Sequence, residues 1–166
     1  MKTYFISDTH FNHKNIIAYE NRPFTSVEEM GRVMIENWNK IVKKNDTVFF
    51  LGDLSFNQDK DTLKDLINSL NGHKILIIGN HDINYSPETW RELGFDEAYP
   101  YPIVYKDFFI LSHKPLYMNA NMPYCNIHGH IHSNNNTLAN YVNVSVEQIN
   151  YTPISFEDIK RRFNNE

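Results

Sequence analysis

Apolar residues in the first half of the chain follow two alternating rhythms. Lys2–Ile6, Thr47–Leu51 and Lys74–Ile78 are short runs rich in β-branched and aromatic residues, and each predicts a buried strand. Between them the spacing becomes helical. Val27, Met30, Met34, Trp38, Ile41 and Val42 follow Ser26-Val27-Glu28-Glu29, which has capping-box spacing. This predicts an amphipathic helix from Val27 to about Lys43. A short helix running through Ile16 and Ile17 is expected to start near His13, and Lys60–Leu70 reads as a helix stopped by Asn71-Gly72. Another starts at Ser86-Pro87 and closes at Gly94. Strands and helices in alternation argue for a largely parallel sheet.

The second half changes character. Tyr101–Tyr105, Phe108–Leu111, Tyr124–Ile127 and Tyr141–Val146 predict short strands, with turns at Lys106-Asp107 and Asn134-Asn135-Asn136. Ser155-Phe156-Glu157-Asp158 caps a short terminal helix that carries Ile159 and Phe163. No repeat or Pro/Gly/Ser linker interrupts the pattern, so one α/β domain over residues 1–166 is expected.

Composition adds exclusions. The chain has 166 residues, 41% of them hydrophobic, and a formal net charge of -4. That balance argues against strong binding to duplex nucleic acid, where phosphate neutralisation dominates. The single cysteine, Cys125, excludes an internal disulfide. No apolar run reaches the ~20 residues of a membrane span, and no signal peptide is visible, so a cytoplasmic protein without a membrane partner is expected. The oligomeric state is not legible.

The eight histidines fall in telling places. Asp8 and His10 follow the first predicted strand, Asp53 the second, and Asn80, His81 and Asp82 the third. His113 follows Phe108–Leu111, while His128, His130 and His132 follow Tyr124–Ile127. Ligands bind in open α/β sheets beyond the C-terminal strand ends. Carboxylates mixed with imidazoles suit Mn, Fe, Zn, Co or Ni better than Ca²⁺.

Asp8-Thr9-His10, Gly52-Asp53, Gly79-Asn80-His81-Asp82, Ser112-His113 and Gly129-His130-Ile131-His132, in this order, resemble the signature of calcineurin-like metallophosphoesterases. The chain resembles the small, cap-less bacterial or phage type. The resemblance implies an α/β/β/α four-layer sandwich with mixed sheets and two divalent transition ions, Mn favoured. It places Asp8, His10, Asp53 and His132 at one ion and Asp53, Asn80, His113 and His130 at the other, with Asp53 bridging. It implies a hydroxide bridging the ions as nucleophile and His81 as proton donor, with Asp82 as the partner of His81. Arg22 and His13 are the candidate substrate-binding residues, because guanidinium suits phosphate and His13 follows the first block closely.

The implied activity is metal-dependent hydrolysis of a small or nucleotide-like phosphodiester. The alternatives are a phosphomonoesterase, a nuclease on the same site, or a non-catalytic interaction module of the same fold. For Arg22 the competing reading is a salt bridge to an acid such as Glu20. Some relatives with a similar opening have glycine where this chain has Asn12, and asparagine tolerates the left-handed backbone angles such a turn requires.

Overall fold

The structure, a computed structural model, describes residues 1–119, 121–136 and 138–164. In chain order the elements are β1 (Thr3–Ile6), α1 (Lys14–Tyr19), α2 (Val27–Ile41), β2 (Thr47–Phe50), α3 (Lys60–Ser69) and β3 (His73–Ile77). There follow α4 (Pro87–Glu92), β4 (Glu97–Tyr99), β5 (Ile103–Tyr105), β6 (Phe109–Leu111), β7 (Cys125–His128) and β8 (Tyr141–Asn143). A 3-10 turn at Val146–Gln148 precedes β9 (Ile154–Ser155) and α5 (Phe156–Asn164).

Helices α2, α3 and α4 start where their caps direct. Ser26, Asp59 and Ser86 each accept the backbone N–H three residues on, which satisfies a donor that the first helical turn leaves free. Glu29 turns back to accept from both the N–H and hydroxyl of Thr25, one residue earlier than a standard capping box. The buried faces carry Met30, Met34 and Trp38 in α2, Leu63 and Ile67 in α3, and Trp90 in α4.

Two mixed sheets form, in the orders β4-β3-β2-β1-β9 and β5-β6-β7-β8, flanked by helices as the resemblance implied. In the first, β1 to β4 run parallel and β9 pairs antiparallel with β1. In the second, β6, β7 and β8 are parallel and β5 is antiparallel to β6. Strand periodicity divides the core. Phe5 and Phe49 lie side by side in register, their rings 5.3 Å apart, and meet Tyr105 of the second sheet at 5.9 and 5.1 Å. Phe50 takes the opposite face, against Trp38 of α2 at 6.3 Å. Phe156 of α5 joins the aromatic group through Tyr105, 5.3 Å away, and brings in Phe109 at 5.1 Å.

The sequence expectations differ from this at three places. β4 was not expected; its Ala98 is the single buried residue of a three-residue strand, too little for a pattern. The run expected as Tyr141–Val146 ends as a strand at Asn143, where Asn143 Oδ1 accepts the N–H of Ser145 and turns the chain. β9 has two residues and gives no periodic signal. No helix among the described residues is long and apolar enough to cross a membrane.

Candidate metal centre

The two sheets are joined at one edge. Ser7, just past β1, bridges in parallel to Ser145, just past β8, through Ser7 N–H to Val144 O at 3.0 Å and Val146 N–H to Ser7 O at 3.1 Å. This draws the C-terminal ends of β1, β2, β3, β6 and β7 together, and the candidate residues stand there. The loops are strained to reach: Asp8, His10, Asp53, His130 and His132 all have positive φ, between 49° and 70°. Such angles are uncommon outside glycine and collect at functional sites. Asn12, at φ 63°, holds the left-handed turn expected of it. A Cβ at Gly79 would collide with the Asp53 carboxylate, and one at Gly129 with Ser7 and the Asp8 carboxylate, so both positions need glycine to seat those acids.

The acids divide their oxygens. Asp8 Oδ2 accepts from His130 N–H (2.8 Å) and Ser145 Oγ (3.0 Å), while its Oδ1 is buried without a partner. That Oδ1 lies 3.9 Å from His10 Nε2 and 3.8 Å from His132 Nε2. Asp53 Oδ1 accepts the N–H of His81 at 2.9 Å, and its Oδ2 faces inward. Oδ2 lies 3.6 Å from His10 Nε2 and 3.3 Å from His113 Nε2. His113 Nε2 is also 2.9 Å from Asn80 Oδ1 and 3.2 Å from His130 Nδ1. Two trios of ligand atoms result, Asp8-His10-His132 and Asp53-His113-His130, and Asp53 Oδ2 reaches both.

Divalent ions fit this arrangement on the chemistry of its atoms. Buried polar atoms with no partner are costly, and here Asp8 Oδ1 and His10 Nε2, 3.9 Å apart, are both left without one. Burial lowers the His10 pKa to about 3, leaving the neutral imidazole that a metal requires. Burial raises the Asp8 pKa, which shows how poorly the metal-free site tolerates its charge. His113 is opposed by burial, but its bond to Asp53 and the charges of Asp8 and Asp53 raise it to about 9. Asp53 is likewise opposed by burial and drawn down to about 2 by His113. His113 Nδ1 meets Leu51 O at 2.7 Å, which turns Nε2 inward.

Two expected roles are corrected. Arg22 is not free to bind substrate. It is 4% exposed, and its five N–H donors are committed: to Asp8 O (2.7 Å), Thr9 O (2.8 Å), Met30 Sδ (3.4 Å) and twice to Glu147 Oε1 (2.9 and 2.6 Å). The acid is Glu147, not Glu20, which instead accepts from Ser133 Oγ. Asp82 does not partner His81. Its carboxylate accepts the backbone N–H groups of Asp53 (2.7 Å), Gly79 (2.8 Å) and Leu54 (3.1 Å), tying the second and third ligand loops together. Burial and the nearby Asp53 raise its pKa to about 6.

Glu147 is the residue sequence reasoning missed. Its Oε1 lies 3.2 Å from His132 Nδ1 and orients that ring, while Arg22 fixes the carboxylate and the backbone of Asp8 and Thr9. Its position just past β8, at the same sheet edge, was the available signal.

The other candidates lie around the rim. His81 is exposed, with Nε2 4.0 Å from Asp53 Oδ2; with His10 and Asp53 it forms a further trio of ligand atoms within 4.8 Å of one another. His13 stacks on Phe56 at 4.3 Å, with its ring 5.5 Å from that of His10. His128 is fully buried against Gly129 O, and His73 pairs with Asp96 and Glu97 far from the centre. The segment Lys114–Pro123, which follows His113, includes residue 120, which lies outside the described residues.

Known proteins bear on this geometry. The family model for calcineurin-like phosphoesterases matches residues 1–164. An uncharacterized protein of Methanocaldococcus jannaschii is 42% identical over 165 residues, covering 94% of this chain and 88% of that one. The Gene 66 protein of Mycobacterium phage L5 is 39% identical over 82 residues, 48% of this chain and 39% of its own. A solved structure of a protein of unknown function from Aquifex aeolicus superposes with TM-score 0.74 at 31% identity, covering 96% of this chain and 98% of that one.

Proposed function

Because the chain belongs to the calcineurin-like phosphoesterases, a family of metal-dependent phosphoester hydrolases, we propose that residues 1–166 form one dinuclear domain cleaving small phosphodiesters. The observation that carries the proposal is Asp53 Oδ2, shared by the two groups of inward-facing ligand atoms. Asp8, His10, Asp53 and His132 would hold one ion, and Asp53, Asn80, His113 and His130 the other. When bound, two divalent ions, with Mn favoured, supply Lewis acidity that acidifies water and offsets charge on phosphoryl oxygens.

The remaining work falls to the chain. Asp82 and Gly79 hold the second and third ligand loops in contact, and the Arg22–Glu147 pair holds the first loop to His132. His81 stands on the solvent side of Asp53, its backbone anchored by Asp53 Oδ1 and its ring free to reach a leaving oxygen. Imidazole is suited to hand a proton to an alkoxide near neutral pH. The commitment of Arg22 supports a diester over a monoester. A monoester dianion gains more from a free guanidinium, and this one has no donor to give.

The test is reconstitution. Chelated protein should hydrolyse neither bis(p-nitrophenyl) phosphate nor p-nitrophenyl phosphate. Mn²⁺ should restore turnover, faster on the diester, with two ions bound per chain by elemental analysis. Metal-independent turnover, or a folded protein that takes up no ion, would overturn the reading.

A further inference from the structure

A cavity of about 390 Å³ opens beside the Asn80–His113 side of the centre. Its floor is Ile77, Ile78 and Gly79 at the end of β3, together with Asn80 and His113, two of the candidate ligands. Its outer wall is Pro100-Tyr101-Pro102, the segment that carries the chain from β4 to β5 and so from one sheet to the other. Ile83 and Lys114 also line it.

Three features mark this cavity as built for a ligand. Ile83 and Tyr101 are 72% and 59% exposed, although large apolar side chains gain by burial, and both face the same space. Pro102 restricts the backbone of Tyr101 before it, and the Tyr101 ring lies 6.0 Å from that of Tyr99. Lys114, exposed at the mouth, adds one positive charge for an anion entering beside His113. The volume lies within the range of small-molecule sites, which are largely apolar with a few polar groups.

We propose that this cavity receives the base of a nucleoside arm of the phosphodiester, with the ring against Tyr101 and Ile83 and the phosphorus held toward Asn80 and His113. The assignment rests on the phosphodiesterase reading above, because Asn80 and His113 belong both to the candidate centre and to the cavity. A planar heteroaromatic group fits better than a flexible chain. It can stack on a tyrosine and lie along isoleucine, and stacking of this kind is independent of the identity of the base. The substrate class is therefore a small nucleotide diester without strong base selectivity.

The test compares ligands that differ only by the base. Isothermal titration should show adenosine monophosphate binding about 10-fold to 100-fold more tightly than ribose phosphate, as one stacked base contributes. Tyr101→Ala should erase most of that ratio, and Tyr101→Phe, which keeps the ring, should retain it. In turnover, the p-nitrophenyl ester of thymidine monophosphate should exceed that of an abasic deoxyribose phosphate by a similar factor in kcat/KM, with Tyr101→Ala bringing the two together. Equal affinities for the two phosphates, or a ratio unmoved by Tyr101→Ala, would overturn the assignment. Base-dependent binding through Tyr101 without hydrolysis of either ester would instead sink the phosphodiesterase reading and leave the cavity assignment standing.

Discussion

Replacing Arg22 by methionine should destabilise the metal-free protein by about 3–5 kcal/mol, the range for breaking a buried ion pair from one side. The structure accounts for the size. Methionine matches much of the arginine stem but donates nothing, so Glu147, whose side chain is 5% exposed, keeps a buried charge with His132 as its remaining partner. The carbonyls of Asp8 and Thr9 lose their Arg22 donors as well. Against a total stability of about 5–15 kcal/mol such a loss is large, and at about 2–4 °C per kcal/mol it predicts a fall in Tm of about 6–20 °C. Urea denaturation with a chelator present reads the effect without linkage to metal binding. The double variant Arg22→Met/Glu147→Gln removes both charges and should be less destabilised than the two single variants combined, by about 0.5–3 kcal/mol. A loss below about 1 kcal/mol would refute the reasoning. An unchanged stability with a raised KM would return Arg22 to substrate binding.

Further outcomes follow from the same geometry. Glu147→Gln should weaken metal affinity by about 10–100-fold at the His132 ion and less at the other, measured by competitive chelation; equal loss at both ions would contradict the placement of Glu147. Asp53→Asn, which removes the shared charge, should bind neither ion tightly, whereas Asn80→Ala should keep the Asp8-side ion; elemental analysis distinguishes them. His81→Ala should keep both ions yet lose about 10²–10⁴-fold in turnover, most for alkoxide leaving groups and least for nitrophenolate. An equal penalty across a leaving-group series would remove the proton-donor role. Burial pushes the Cys125 thiol up to about 12, so the native protein should resist iodoacetamide at pH 8 and react once unfolded.

What the sequence disclosed and what it withheld differ by kind of interaction. Strands β1, β2, β3 and β6 are apolar runs, and the residues after each were legible because chemistry collects at C-terminal strand ends. Side-chain identity at those ends carries the candidate metal groups almost unaided: Asp8, His10, Asp53 and His113 can be read from local blocks, and the structure sets them in a row with each within 4 Å of the next. The residues that hold those side chains in place leave no local trace. Arg22 and Glu147 are 125 positions apart, and their pairing depends on Ser7 meeting Ser145 across two sheets. Arg22 therefore admits two readings from sequence, a guanidinium for phosphate or an ion pair with an acid such as Glu20, and Glu147 belongs to none of the blocks. Asp82 misled for the opposite reason. It is adjacent to His81 in sequence, but the chain turns there, and its carboxylate faces the N–H groups of Asp53, Leu54 and Gly79 instead. A ligand announces itself by residue type after a strand, whereas a positioning residue is defined by a contact that exists after the sheets have joined. Donor saturation separates the two kinds: all five N–H donors of Arg22 are engaged within the protein, so none is left for a substrate.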